Sequence, residues 1–252
     1  MSTLPVETFE SYAETALLTS EGLLRRRAQR WPGANALADP PNLAALGWGT
    51  PRTFTYREAD AVVDRLASLF VELGLVPGDT IAVQLPNLAV TPLTLLGAWR
   101  AGLSVTMLPT LWREHEIGMA CEAVRPKALI AHGDGELCAE RLCGIAAEQL
   151  SVRFVLGFGE VLPDGVGCLD EVLAASEPVP NLEQALDTGR GPAMISVTAR
   201  AGLPLVPLIR SEEQLLAQGA MTVLALALER KDVILNPDPL AGPIGLSLGL
   251  MP

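Results

Sequence analysis

Ten residues, Ser196-Val-Thr-Ala-Arg-Ala-Gly-Leu-Pro-Leu205, carry the pattern with the most chemical content. An apolar lead, Ala193-Met-Ile195, runs into a small-residue turn containing Gly202 and Pro204. A loop that grips phosphate needs glycine so that the backbone can approach the anion. It also needs hydroxyls that donate hydrogen bonds and a lysine as counter-charge. Here Thr198 is the one hydroxyl in the turn, and Leu205 stands where the lysine is expected. The frame of such a loop is present and most of its donors are missing.

Other groups invite a chemical reading. His115 and Glu116, beside Trp112, could form an acid/base pair or serve a surface or packing role. The Arg25-Arg-Arg27 run could hold an anion; on a surface helix, a solvated face is the expectation. Asp164 and Asp170 read as loop and cap acids. Cys121, Cys138, Cys143 and Cys168 form no CxxC pair, and only His115 and His132 could assist them. Reduced thiols in a cytoplasmic protein are expected, with no metal site.

These residues sit in a chain of 252 residues with net charge −11, 49% hydrophobic and 19% charged. That composition gives a globular fold and argues against nucleic acid or an anionic membrane as partner, since both need clustered positive charge. Of its 18 basic residues only Lys127 and Lys231 are lysines. No signal peptide opens the chain, and no apolar run reaches membrane-span length; residues 215–228 come nearest.

The elements that must position the loop follow from spacing. Ser20 caps a helix that ends at Trp31-Pro-Gly33. Residues 36–38 form a short strand. Thr55-Tyr-Arg-Glu58 is a capping box opening a helix with apolar positions Ala59, Val62, Val63, Leu66, Leu69, Phe70 and Leu73. Strands are expected at 80–85, 103–108, 128–131 and 152–156, and helices at 90–100, 112–124 and 136–150. Short connections between alternating strands and helices imply parallel strands with crossover helices, an α/β layered fold. Residues 1–162 form a first subdomain, and 163–192 a linker-like segment with one short helix near 169–175. Residues 193–252 begin a second subdomain: strand 193–197, the loop, a helix from Ser211 to about 228, and a strand at 232–235. The apolar, glycine-rich tail reads as a domain cut partway. The sheet edge left open by such a cut predicts self-association.

In order and spacing, four segments resemble the N-terminal portion of the acyl-CoA synthetase family, within the adenylate-forming (AMP-binding) superfamily. Phe54-Thr-Tyr-Arg-Glu58 resembles the family's TYREL helix start. Leu75-Val-Pro-Gly-Asp-Thr-Ile-Ala-Val-Gln-Leu-Pro-Asn87 is similar to its GVKPGDRVAVQLPN strand. Ala98-Trp-Arg-Ala-Gly102 through Pro109 resembles AVLRAGAVPVPLNP, with the ELAYIL helix following at Glu114–Ala120. Asp232-Val-Ile-Leu-Asn-Pro-Asp-Pro-Leu240 resembles the strand and PLFH turn after the nucleotide loop, with Ala241 and Gly242 where Phe and His would stand.

The resemblance implies ATP-dependent activation of a carboxylic acid to an acyl-adenylate and transfer to coenzyme A, with magnesium. It places the nucleotide loop, roughly Ser/Thr-Gly-Thr-Thr-Gly-x-Pro-Lys, on Thr198, Ala199, Arg200, Ala201, Gly202, Leu203, Pro204 and Leu205. The first hydroxyl, the second glycine and the proline match. The first glycine, both threonines and the lysine do not, and Arg200 is either a substitute phosphate contact or a solvated side chain. The family's adenine shelf, magnesium-binding glutamate, ribose-binding aspartate and lid lysine lie downstream of the matching segments. This chain alone is therefore expected not to complete an adenylation cycle, with no catalytic or metal residue of its own. A non-catalytic relative serving as a binding module is the alternative.

Overall fold

The computed structural model describes residues 19–133, 139–175, 192–198, 205–242 and 244–251. Helix α1, Ser20–Arg30, is capped by Thr19, whose hydroxyl accepts from Gly22 N at 3.1 Å. That is one residue before the expected cap, and Ser20 is instead buried in the first turn. Strands β1 (Asn35–Ala38) and β2 (Thr53–Thr55) form an antiparallel pair. The Thr55 capping box forms as expected: Thr55 N donates to Glu58 Oε2 at 2.8 Å, and Glu58 N donates back to Thr55 Oγ1 at 3.3 Å. It starts helix α2, Tyr56–Glu72, whose buried face is Ala59, Val62, Val63, Leu66, Ala67 and Phe70.

Then follow β3 (Thr80–Gln84), α3 (Val90–Arg100), β4 (Ser104–Met107), α4 (Glu114–Val124) and β5 (Ala128–His132). After these come α5 (Ala139–Glu148), β6 (Phe154–Phe158), β7 (Gly167–Cys168) and α6 (Leu169–Ala174). Strands β8 (Pro192–Thr198) and β9 (Val206–Ser211) precede α7 (Glu212–Leu226) and a π-helical turn, Gly245–Leu250.

One sheet takes the order β7-β6-β5-β3-β4-β8-β9, so strands from both sides of residues 163–192 belong to it. Every pairing is parallel except β8 with β9. Parallel crossovers are right-handed, and stepping from β3 to β4 and back across to β5 puts the connecting helices on opposite faces. The two apolar cores match: α2 and α3 pack on one face, α4 and α5 on the other. Helix α3 is buried along its whole length, because α2 covers the side turned away from the sheet. Gly97 permits that contact. A Cβ there would lie 2.7 Å from Leu66 Cβ.

Arg100 carries charge into this apolar layer. The Arg100 side chain, 5% exposed, reaches Asp60 and Asp64 at 2.8 Å and Glu21 at 3.1 Å. Arg25 joins the same carboxylates at 2.5 Å from Asp64 and 3.6 Å from Asp60. The cluster locks α1 to α2 and α3. Helix α7 meets α1 at two points: Ser20 N donates to Glu212 Oε1 at 2.6 Å near their first turns, and Arg230, in the turn after α7, covers Trp31 at the end of α1. Burial pushes the Glu212 carboxyl above its usual range, with the Ser20 N–H working the other way.

One strand appears that was not expected, and one expected strand is absent. Val206–Ser211 is a strand and not the approach to a helix, because the apolar run Val-Pro-Leu-Ile finds β8 as a ladder partner. Residues 232–235 form no strand: no neighbouring strand pairs with them, and Val233 and Leu235 stand 94% and 87% exposed. Strand β9 ends the sheet, with Val206, Pro207, Leu208 and Ile209 all exposed. Pro207 pairs with Val197 and has no N–H to give, so the pair is of the non-hydrogen-bonded type. The vacant donor position therefore faces the free edge, and strand alternation turns the Ile209 N–H the same way.

Candidate functional site

Between β3 and β5 the winding direction reverses, so the loops leaving these strands diverge to opposite faces. An open α/β sheet binds ligands in the crevice that such a switch creates at the carboxyl ends of its strands. Because β8 runs parallel to β4, with Met194 beside Val105, the loop after Thr198 opens at this same edge. The hairpin register, Thr198 opposite Val206, fixes both ends of that loop. Ala199, Arg200, Ala201 and Gly202 themselves lie outside the described residues, as do Leu203, Pro204 and Cys138. For Thr198 the described feature is its place at the end of β8.

Leu205, the residue at the expected lysine position, is described and buried. It belongs to the apolar cluster that includes Leu108, Ile117 and Cys121, with Val197 packed against it. Just before β9, this position turns into the core. Arg210 on β9 lies beside the stalk of the hairpin, Nη2 3.5 Å from Ser196 Oγ. The sequence reading passed over it because β9 was not expected there.

A second segment reaches the crevice through Asn87, two residues after the Leu85 that leaves β3. Asn87 Nδ2 donates to Asp238 O at 2.6 Å and to Asn236 O at 3.3 Å, and Leu240 N donates to Asn87 Oδ1 at 3.1 Å. An amide side chain with donors and an acceptor is used on both sides, which fits Asn and not Asp. Behind the turn, Gly245 packs so closely on the Asp238 and Pro239 carbonyls that a Cβ would overlap them, and Asn236 Nδ2 donates to Gly245 O at 3.1 Å. The Asn-Pro-Asp-Pro-Leu turn and the Leu-Pro-Asn strand end, far apart in sequence, thus meet at one crevice wall.

The strand ends supply the floor. Gln84, buried at the end of β3, donates to Pro109 O at 3.0 Å and Trp112 O at 3.1 Å, holding the loop after β4. His132 ends β5 buried, edge-on to Trp48 at 5.2 Å between ring centres.

The remaining candidates fall elsewhere. Glu116 accepts from Arg113 N at 3.0 Å, which holds its carboxyl below the usual range; it caps α4 beside His115 on the surface. Asp170 accepts from Gly159 N at 2.7 Å and pairs with Arg52 at 2.6 Å. Burial raises the Cys121 thiol to about 11, an unreactive value at neutral pH. Among the described residues no group of three or more His, Cys, Asp and Glu could hold a metal ion. No described helix is long and apolar enough to cross a membrane. Among the described residues, buried Leu205 stands at the position where the loop pattern expects a lysine.

The fold is that of a mixed α/β protein with a mostly parallel sheet. The chain belongs to the AMP-binding enzyme family, which it matches over residues 24–187. It is 34% identical over 116 residues to enterobactin synthase component F of Shigella flexneri, a match covering 46% of this chain and 8% of that protein. With human long-chain fatty acid transport protein 1 it shares 27% identity over 175 residues, covering 68% of this chain and 27% of the relative. The apo structure of MbtA from Mycobacterium smegmatis superposes with a TM-score of 0.79 at 25% identity, covering 99% of this chain and 45% of that one. The chain thus spans well under two thirds of the length of these relatives.

Proposed function

We propose that this chain is the N-terminal part of a carboxylate-activating ligase, a protein that joins a carboxylic acid to ATP as an acyl-adenylate and passes the acyl group to coenzyme A. Alone, the chain binds nucleotide weakly and does not turn over. The reading is supported by β8 running parallel to β4 and ending, at the Thr198–Val206 pair, on the same sheet edge at which Asn87 holds the 236–240 turn. In that role the hairpin presents the 199–204 loop to the phosphates. ATP and magnesium supply the leaving group and charge neutralisation when bound. The chain's own residues orient: Gln84 holds the loop after β4, and Asn87 holds the turn. The deficit lies in the loop composition, where lost charge-assisted donors cost about 1.5–3 kcal/mol each.

The test restores the donors. The triple substitution Ala199→Gly, Arg200→Thr, Ala201→Thr should raise affinity for Mg-ATP at least tenfold over the wild type in calorimetry. Carboxylate-dependent pyrophosphate–ATP exchange should stay at background in both. Unchanged affinity sinks the assignment of the loop, and exchange by the wild-type chain sinks the inactive reading.

A second reading, a non-catalytic interaction module, is favoured by the exposed apolar surface of β9 and α7: Val206, Leu208, Ile209, Met221 and Leu224. On this reading copies associate through the β9 edge. Light scattering that gives a monomer at high concentration counts against it.

A further inference from the structure

Trp31 ends α1, and three guanidinium groups lie over its indole. Arg30 Cζ is 4.8 Å from the ring centre, Arg230 Cζ 4.9 Å and Arg27 Cζ 5.9 Å. Arg27 and Arg30 come from the last turn of α1, and Arg230 from the turn after α7. All three are exposed and the ring is half-buried. The sequence run Arg25-Arg-Arg27 thus divides in the fold: Arg25 turns inward to Asp60 and Asp64, while Arg27 joins the ring.

Among the described residues, no carboxylate lies within salt-bridge distance of Arg27, Arg30 or Arg230. Other basic groups of the fold do find acids: Arg52 pairs with Asp170, buried Arg100 with three carboxylates and Lys231 with Glu229. In a chain carrying 29 acidic residues against 18 basic, three cations gathered on one ring without an acid call for an explanation.

A helix dipole explains part of it. Trp31 follows the C-terminal end of α1, which contributes roughly half a negative charge. It offsets only a small part of the three full positive charges. The ring attracts each guanidinium by about 0.5–1 kcal/mol at an exposed site, but it does nothing to relieve the repulsion among them. An anion of charge near minus two does both.

We propose that Arg27, Arg30 and Arg230, seated on Trp31, form a binding site for a compact phosphate-bearing anion: pyrophosphate itself or the phosphates of a nucleotide. Planar guanidinium forks match phosphate oxygens two at a time. The cations converge on the footprint of a single ring, which suits a compact polyanion better than an extended acidic chain. The site is built from α1 and the end of α7, without the 199–204 loop, and stands whether or not that loop binds nucleotide.

Inorganic pyrophosphate and ADP, titrated separately at low salt, test it by calorimetry and indole fluorescence. The wild type should bind pyrophosphate. Arg30→Ala/Arg230→Ala should weaken binding about a hundredfold, roughly tenfold for each arginine. Arg30→Lys/Arg230→Lys, which keeps the charge and loses the fork, should fall between. Trp31→Phe should remove the fluorescence response, and Arg52→Ala, at a basic residue paired with Asp170, should leave binding intact. Equal affinities for the two probes identify a free-anion site; tighter ADP identifies nucleotide-borne phosphate. No binding through the millimolar range overturns the proposal, as does binding that the Arg30 and Arg230 variants leave unchanged.

Discussion

Asn87 and Leu240 stand 153 positions apart and are joined by a 3.1 Å hydrogen bond from the Leu240 N–H to the Asn87 side-chain oxygen. The same side chain donates to two carbonyls of the turn, so one residue at the end of β3 fixes the course of a distant segment.

Asn87→Ala should therefore lower stability by about 1–3 kcal/mol, the worth of a small set of half-buried hydrogen bonds. The loss should be local. Hydrogen exchange should show the Leu240 amide opening well before the amides of β3 and β4, and urea denaturation gives the total.

Arg100→Met should cost about 2–3 kcal/mol, since Glu21 loses this counter-charge and Asp60 and Asp64 keep only Arg25. Lys231→Met, at a pair 79% and 66% exposed, should change stability by less than about 1 kcal/mol. Parallel denaturant titrations compare the two.

Glu212 titrates with the opposite sign to a salt-bridged acid. Its folded pKa lies above the ordinary 4.5 because burial disfavours the charged carboxylate. The folded state therefore holds this proton more tightly, and the group's contribution is complete below the ordinary pKa and lost as pH rises through the raised value. Glu212→Gln keeps an acceptor for Ser20 N–H and has no proton to lose. The stability difference between wild type and variant, measured by urea denaturation from pH 4 upward, should move in the variant's favour as pH rises.

Leu205→Lys restores the family's residue without restoring its function, because the position packs among Leu108, Ile117 and Cys121. We expect a loss of about 2 kcal/mol or more and no gain in Mg-ATP affinity. Thermal melts and calorimetry check both.

Cys121, held near 11, should react with iodoacetamide at pH 8 far more slowly than the half-buried Cys143. Peptide mass spectrometry gives both rates.

The sequence carried the fold wherever local signals and burial agree. The Thr55 box, the helix of residues 90–100 and the strand–helix alternation are all present, because each is specified by residues close in the chain. It misplaced what depends on a distant partner. Val206–Ser211 becomes a strand only because β8 lies beside it, while the equally apolar 232–235 run finds no strand and stays irregular. The Asn87 clamp was visible only as a Leu-Pro-Asn motif; that its amide holds the 236–240 turn is a tertiary fact. Arg230 and Trp31 likewise meet only because the turn after α7 reaches the end of α1.

Pro207 limits what the β9 edge can build. A strand that adds to a sheet needs donors and acceptors in alternation along the whole border, and here the Ser211 N–H is already given to Gln214 and Pro207 has none. That leaves the Ile209 N–H as the donor available to a newcomer. A second copy can press its side chains against Val206 and Leu208 but cannot zip on as a full ladder. Growth of the cross-β kind, each molecule templating the next, is arrested at the first addition.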